Sequence, residues 1–234
     1  MISCTKEGLV EYAGAQRDIF ARGKAEPVIS VAAMLERAAA FAVGAGAGLD
    51  GEITIAMGHP YVTKVRGDCC VLGHGEDEGA VFAVWTQEQN WCEEPIPVQT
   101  GGYLDLQHLV KARAMAAGID VSNPFPFRVA GTPAKVKWHV NVDLTGGEPI
   151  TPELFAKSKM NYVANDLEMD IIGFFSERHQ GGFISAFAPA IEVGSSVKNA
   201  IHIHMVSRDH TLAGHIDDLT LAAGMTLLLP KVRT

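Results

Sequence analysis

No stretch of this chain is strongly basic. A formal charge of -8 with no Lys/Arg block removes the electrostatic footprint that nucleic acid or an anionic membrane requires. Nor does it offer an anionic substrate any long-range attraction, so an anion must be held locally, by a metal or one well-placed cation. Cysteine is scarce: Cys4, the neighbours Cys69 and Cys70, and Cys92 form no CxxC, and residues adjacent in sequence make poor disulfide or zinc partners. Buried reduced thiols are expected. No GxGxxG follows a strand and no GxxxxGK[ST] occurs, which leaves no sequence sign of a dinucleotide or P-loop cofactor. "GAGAGLDG" is dense in glycine but precedes a strand, where glycines serve tight turns better than phosphate. The longest apolar-leaning stretch, "VAAMLERAAAFAVGAGAGL", is interrupted by Glu36, Arg37 and glycines, and "MISCTKEGLVEYAG" has no signal-peptide core. A cytoplasmic protein without a membrane segment is expected.

What is present is an ordinary globular composition, 47% apolar and 20% charged over 234 residues, enough to bury a substantial core. From Val28 to about Ala42, Val31, Met34, Leu35, Ala38 and Phe41 recur at three- and four-residue steps, which predicts a helix stopped by Gly44. Short β-branched and aromatic segments follow: "EITIAM", "YVTKV", "AVFAVWTQ", "PFRVAG" and "AKVKWHVNV". A helix over "DLQHLVKARAMAAG" interrupts them and another begins near Pro152. Strands resume with "MDIIGFFS", "GFISAFAP", "AIHIHMV", "LAGHIDDL" and "GMTLLLP". The fold class is α+β, with mixed or antiparallel sheets and few helices. The expected organisation is one compact unit: an N-terminal extension over 1–27, an α+β half over 28–150 and a β-rich half over 151–234.

The chemistry concentrates in "AIHIHMVSRDHTLAGH". Side chains alternate along a strand, so His202 and His204 share one face while Ile201, Ile203 and Met205 face a core. A turn at "SRDHT" returns the chain, and Gly214 permits a close approach that brings His215 to the first two across a hairpin. Three histidines with an open position suit zinc or a similar divalent ion. The bland alternative is an amphipathic hairpin with solvent-facing histidines. His210, at the turn, is expected to be exposed.

Cupins also carry HxH, but a glutamate follows it there and none follows here. The segment "IHIHMVSRDHTLAGHIDDL" instead resembles the metal-binding segment of the acetolactate decarboxylase family, HxH, ten residues, then His after Gly. "GAGLDGEITI", "VFAVWT" and "FRVAGTPAKVKWHV" resemble further segments of that family in the same order, so the likeness spans most of residues 30 to 220. The resemblance implies a homodimeric enzyme with Zn2+ held by His202, His204 and His215, and Glu52 beside it as acid/base. Without the resemblance, Glu52 of "LDGEI" reads as a residue flanking a turn.

The sequence also departs from the family. Its catalytic arginine, late in a V-K-x-R strand, is here His139 of "VKWH", with Lys137 two residues earlier on the same face. Neither reproduces the bidentate fork that arginine offers a carboxylate. Ala45 stands where the family has threonine, and no acid follows Asp218 where the family places a second glutamate. The implied activity is a zinc-dependent carboxy-lyase on a small 2-hydroxy-3-oxo acid, such as acetolactate, or a related β-keto acid, with electrons from CO2 loss held as an enediolate at the metal. Two alternatives stay open: a different metal-dependent reaction (isomerisation, aldol-type cleavage or hydrolysis) on a larger substrate, and a non-enzymatic metal- or ligand-binding protein.

Overall fold

A computed structural model describes residues 2–4, 9–23, 25–186, 188–192 and 194–231. The elements run β1 (Ile2–Cys4), β2 (Glu11–Gly14), α1 (Gln16–Arg22), β3 (Ile29–Ser30), α2 (Val31–Glu36), β4 (Phe41–Gly46), a 3-10 turn (Ala47–Leu49), β5 (Glu52–Ala56), β6 (His59–Arg66), β7 (Cys69–Gly73) and β8 (Gly79–Thr86). They continue with β9 (Trp91–Pro95), α3 (Tyr103–Ala116), β10 (Phe125–Gly131), β11 (Lys135–Asn141), α4 (Pro152–Lys157), β12 (Lys159–Ala164), β13 (Met169–Phe175), β14 (Ile201–Ser207), β15 (Ala213–Thr220) and β16 (Thr226–Pro230).

Two sheets face each other. The first has the order β1, β2, β8, β4, β5, β6, β7, with β3 also on β8; the second has the order β12, β11, β15, β14, β13, β10, β16, β9. The chain therefore changes sheet between Thr86 and Trp91, and residue 150 falls between β11 and β12 of one sheet. Every pairing between named strands is antiparallel, and the class is α+β with mostly antiparallel sheets and few helices. No described helix is long and apolar enough to cross a membrane.

Alternation sorts side chains into three apolar layers. Between the sheets lie Val43, Ala45, Phe82 and Val84 from the first and Ile172, Phe174, Val206 and Ala213 from the second. On the outer face of the second sheet, Ile201, Ile203, Met205 and Ile216 pack with Leu106, Val110 and Ala114 of α3. On the outer face of the first, Ile53, Ile55, Ala42 and Trp85 pack with Val31 and Met34. The consequence for function is directional. Since Ile53 and Ile55 face outward, Glu52 and Thr54 face the gap between sheets, as do His202 and His204.

Three expectations are corrected. The helix expected to about Ala42 stops at Glu36, capped at its start by Ser30 Oγ, which accepts from Ala33 N at 3.1 Å. Residues 41–46 are instead a fully buried central strand between β8 and β5. Its small residues meet a steric need, because a Cβ on Gly44 would lie 2.6 Å from the Phe82 carbonyl oxygen. "GFISAFAP" is no strand: its described residues form turns and a single bridge at Ile184. Finally, Cys69 and Cys92 are exposed and Cys70 is half-buried, all as free thiols, since β7 and β9 are edge strands. The Cys4 side chain lies outside the described residues.

Candidate metal centre

The second sheet lays three histidines in a row. His215 pairs with His204 across β14 and β15 and with His139 across β11 and β15; His202 is one step along β14 on the same face. Close approach of β15 to β11 depends on Gly214, where a Cβ would sit 2.6 Å from the Trp138 ring and 2.9 Å from the His139 carbonyl oxygen. Ring centroids are 5.1 Å apart for His202 and His204, 5.0 Å for His202 and His215, and 5.3 Å for His204 and His215. One nitrogen from each of the three lies within 4.8 Å of the others. His139, His215 and Asp217 form a second such group. The rings are not on a solvent face, because the first sheet covers them.

From that first sheet Glu52 reaches between the imidazoles: Oε1 is 3.7 Å from His139 Nε2 and Oε2 is 3.6 Å from His204 Nε2. Its strand is fastened to β11 by the Gly51 N–H donating to the Asn141 carbonyl at 3.0 Å and the Asn141 N–H donating to the Glu52 carboxyl. Two residues on, Thr54 Oγ1 lies 2.8 Å from His204 Nδ1. Asp217 Oδ2 lies 2.7 Å from His139 Nδ1, and the Phe183 carbonyl hydrogen-bonds the His202 ring.

Burial dominates the electrostatics. It lowers the His202 imidazole to about 4 and holds His204 and His215 well below the usual range, with neighbouring imidazoles adding to the effect. His139 is also lowered by burial, against the pull of Asp217. Burial raises Glu52 well above the ordinary carboxylate range, outweighing Lys159 and the Asn141 amide. The four rings are therefore neutral at pH 7.

This donor set fits a metal. His202 Nδ1, His204 Nε2 and Glu52 Oε1 are buried without a hydrogen-bond partner. Each would cost about 1–3 kcal/mol if left so. Neutral imidazoles with one nitrogen engaged by an outer partner and the other free are the form in which histidine binds divalent ions. His202, His204 and His215 would hold such an ion, with Glu52 beside it.

Beside the cluster is a pocket with about 380 Å³ of empty space, its open mouth included. Its lining comprises Glu52, His139, His202 and His215, with Ala45, Phe82 and Phe155 as apolar wall and Gln16, Asn141, Lys159 and Ser185 as polar wall. Lys137 is not part of it. The opposing register slips by one residue between Lys137 and Trp138, and Lys137, 52% exposed at its side chain, pairs with Asp218 at 3.7 Å. Alternation along β11 is unbroken, so Lys137 does share a face with His139, but it lies at the exposed end of that face, outside the pocket. His210 is exposed, as expected, though its Nδ1 lies 2.6 Å from the Tyr61 hydroxyl.

Sequence reasoning missed Thr54, Asp217, Lys159 and Asn141. Thr54, Asp217 and Asn141 had a signal, since each lies two residues beyond a candidate site residue, Glu52, His215 and His139, on the same strand. Lys159 had none: it enters because β12 pairs with β11, Lys159 opposite Asn141.

Comparison with known proteins begins with the fold. A Staphylococcus aureus protein of unknown function, described as similar to alpha-acetolactate decarboxylase, superposes with a TM-score of 0.70 at 17% identity, covering 94% of this chain and 84% of that one. Alpha-acetolactate decarboxylase from Bacillus subtilis gives 0.70 at 16%, covering 94% and 85%. Two facing antiparallel sheets with histidines between them thus define a decarboxylase-like fold. The chain itself belongs to the alpha-acetolactate decarboxylase family, whose sequence profile matches residues 17–231. No curated protein sequence matches it.

Proposed function

We propose that this chain is a zinc-dependent carboxy-lyase that decarboxylates a small 2-hydroxy-3-oxo acid or a related β-keto acid. One observation carries the reading: the ring nitrogens of His202, His204 and His215 converge beside the buried Glu52 carboxyl, with His202 Nδ1, His204 Nε2 and Glu52 Oε1 left without partners, and His202, His215 and Glu52 open onto one pocket. When bound, a divalent ion supplies Lewis acidity toward substrate oxygens. The protein's own groups do the rest. Glu52, raised by burial, holds a proton at its carboxyl where it can be passed to the carbon that CO2 leaves. His139, fixed by Asp217 at Nδ1, turns Nε2 toward Glu52 and limits where that carboxyl can point. Phe82 and Phe155 narrow the pocket and reduce water beside the reacting carbon.

A different metal-dependent reaction is favoured by one feature. His139, which stands where the resemblance places an arginine, is neutral and tied to Asp217 rather than a permanent cation. Metal analysis followed by a CO2-release screen over acetolactate and larger β-keto acids separates the readings. CO2 release abolished by a chelator supports decarboxylation. Stoichiometric metal with no CO2 from any acid points to the other reaction, and absence of metal defeats both.

A further inference from the structure

The pocket needs a positive charge to hold an acid, and its lining has few sources. Glu52 is an acid, Gln16, Asn141 and Ser185 carry no charge, and His202 and His215 belong to the cluster that would hold the metal. Among the described residues, Lys159 is the only Lys or Arg in the lining. Its side chain is 16% exposed, at the first position of β12, with Nζ 5.5 Å from the Phe155 ring centroid. The nearest carboxylate atom, Asp217 Oδ1, is 3.8 Å away, beyond hydrogen-bond reach, and itself lacks a partner. The ammonium group therefore has donors free for a ligand, in a partly desolvated place where a charge-assisted hydrogen bond is strong. The two residues to which the resemblance pointed do not supply this charge: Lys137 lies outside the pocket beside Asp218, and His139 is engaged at Nδ1 by Asp217.

We propose that Lys159 receives the substrate carboxylate and makes the pocket selective for acids over uncharged analogues of the same shape. The proposal rests on the small-acid reading above. It makes Lys159 a binding and specificity residue, distinct from a mere counter-ion for Asp217.

The test uses two unreactive probes of equal size, 2-hydroxy-2-methylpropanoate and its uncharged amide. Their Kd is measured by calorimetry on zinc-loaded and metal-stripped protein, so that direct binding of the acid to metal is separated from binding to Lys159. K159M is expected to weaken acid binding about 10- to 100-fold in both forms, the usual loss of a charge-assisted hydrogen bond, while amide binding stays within about 3-fold. K159R should keep most of the preference for the acid. K159Q serves if K159M does not fold, with circular dichroism as the check. Wild-type protein without a preference for acid over amide, or variants in which both probes weaken equally, would overturn the assignment. Since neither probe reacts, a failed CO2 assay would sink the proposed reaction while leaving this result readable.

Discussion

At the scale of single residues, the proposed ligands, acid and outer partners are expected to make separable contributions. His204→Ala should strip the metal, because three protein ligands leave no redundancy, and His202→Ala and His215→Ala should do the same. His210→Ala should retain it, lying at the exposed turn; metal content by mass spectrometry reads both, and stoichiometric zinc in H204A would remove the centre from consideration. Glu52→Gln keeps the shape and the Asn141 contact while removing the acid. Metal should stay and turnover should fall ~10² to 10⁴-fold, the usual contribution of a positioned acid or base. Thr54→Val deletes the hydroxyl at 2.8 Å from His204 Nδ1. Zinc affinity should drop about 10- to 100-fold in a competition titration with a chelating dye, the size expected for an outer partner that fixes a ring. Unchanged affinity would show that sheet packing alone orients His204.

At the scale of elements, the centre depends on how closely three strands of the second sheet approach. Gly214 lies in extended backbone, so an added methyl brings no conformational strain, only a collision with the Trp138 ring and the His139 carbonyl. Gly214→Ala should therefore lower stability by ~1–3 kcal/mol in urea unfolding, as overpacking does. It should also weaken zinc binding, since β15 must move away from β11 carrying His215. The glycine, the alternation of "IHIHMV" and the hairpin to "AGHID" were legible in the sequence because period-two patterning survives without knowledge of partners. The strand at 41–46 was not. A run of Ala, Phe, Val and Gly has no period that separates a buried central strand from a helix face, and only the approach of β8 decides between them.

At the scale of the whole molecule, burying four imidazoles and a carboxyl between two sheets links stability to pH. The unfolded chain takes up protons on these histidines below about 6.5, whereas the folded rings stay neutral. Below that value the unfolded state binds more protons, so stability falls as pH falls, from about 6.5 toward the lowered folded values. The slope is up to about 1.4 kcal/mol per pH unit for each ring. Glu52 works in the opposite sense, holding a proton that the unfolded chain has released, but it is one group against four. Metal-stripped protein should show a melting temperature that drops steeply from pH 7 to 5, where four rings outweigh Glu52; above pH 7 Glu52 alone remains, and the melting temperature should decline gently with rising pH for as long as the folded carboxyl keeps its proton. Saturating zinc should raise the melting temperature throughout that range and lose its effect only as pH approaches the lowered folded values, where protons compete for the same nitrogens. A profile flat between pH 7 and 5 would mean the rings reach water in the stripped protein.

From local order alone, the sequence determined the α+β class, most strands of the second sheet, a helix over 105–118 that is observed at Tyr103–Ala116, and the shared face of His202 and His204. Each of these follows from short-range periodicity and turn chemistry. What only the tertiary structure decided is which groups meet across the gap between sheets. Glu52 and Thr54 lie some 150 positions from His204 and reach it because β5 faces β14. Lys159 joins the pocket through strand pairing, and Lys137, two residues from His139 on the same face of β11, lies outside it and pairs with Asp218. Such contacts depend on how strands pair and stack, and no local pattern in the chain encodes the distance between two sheets.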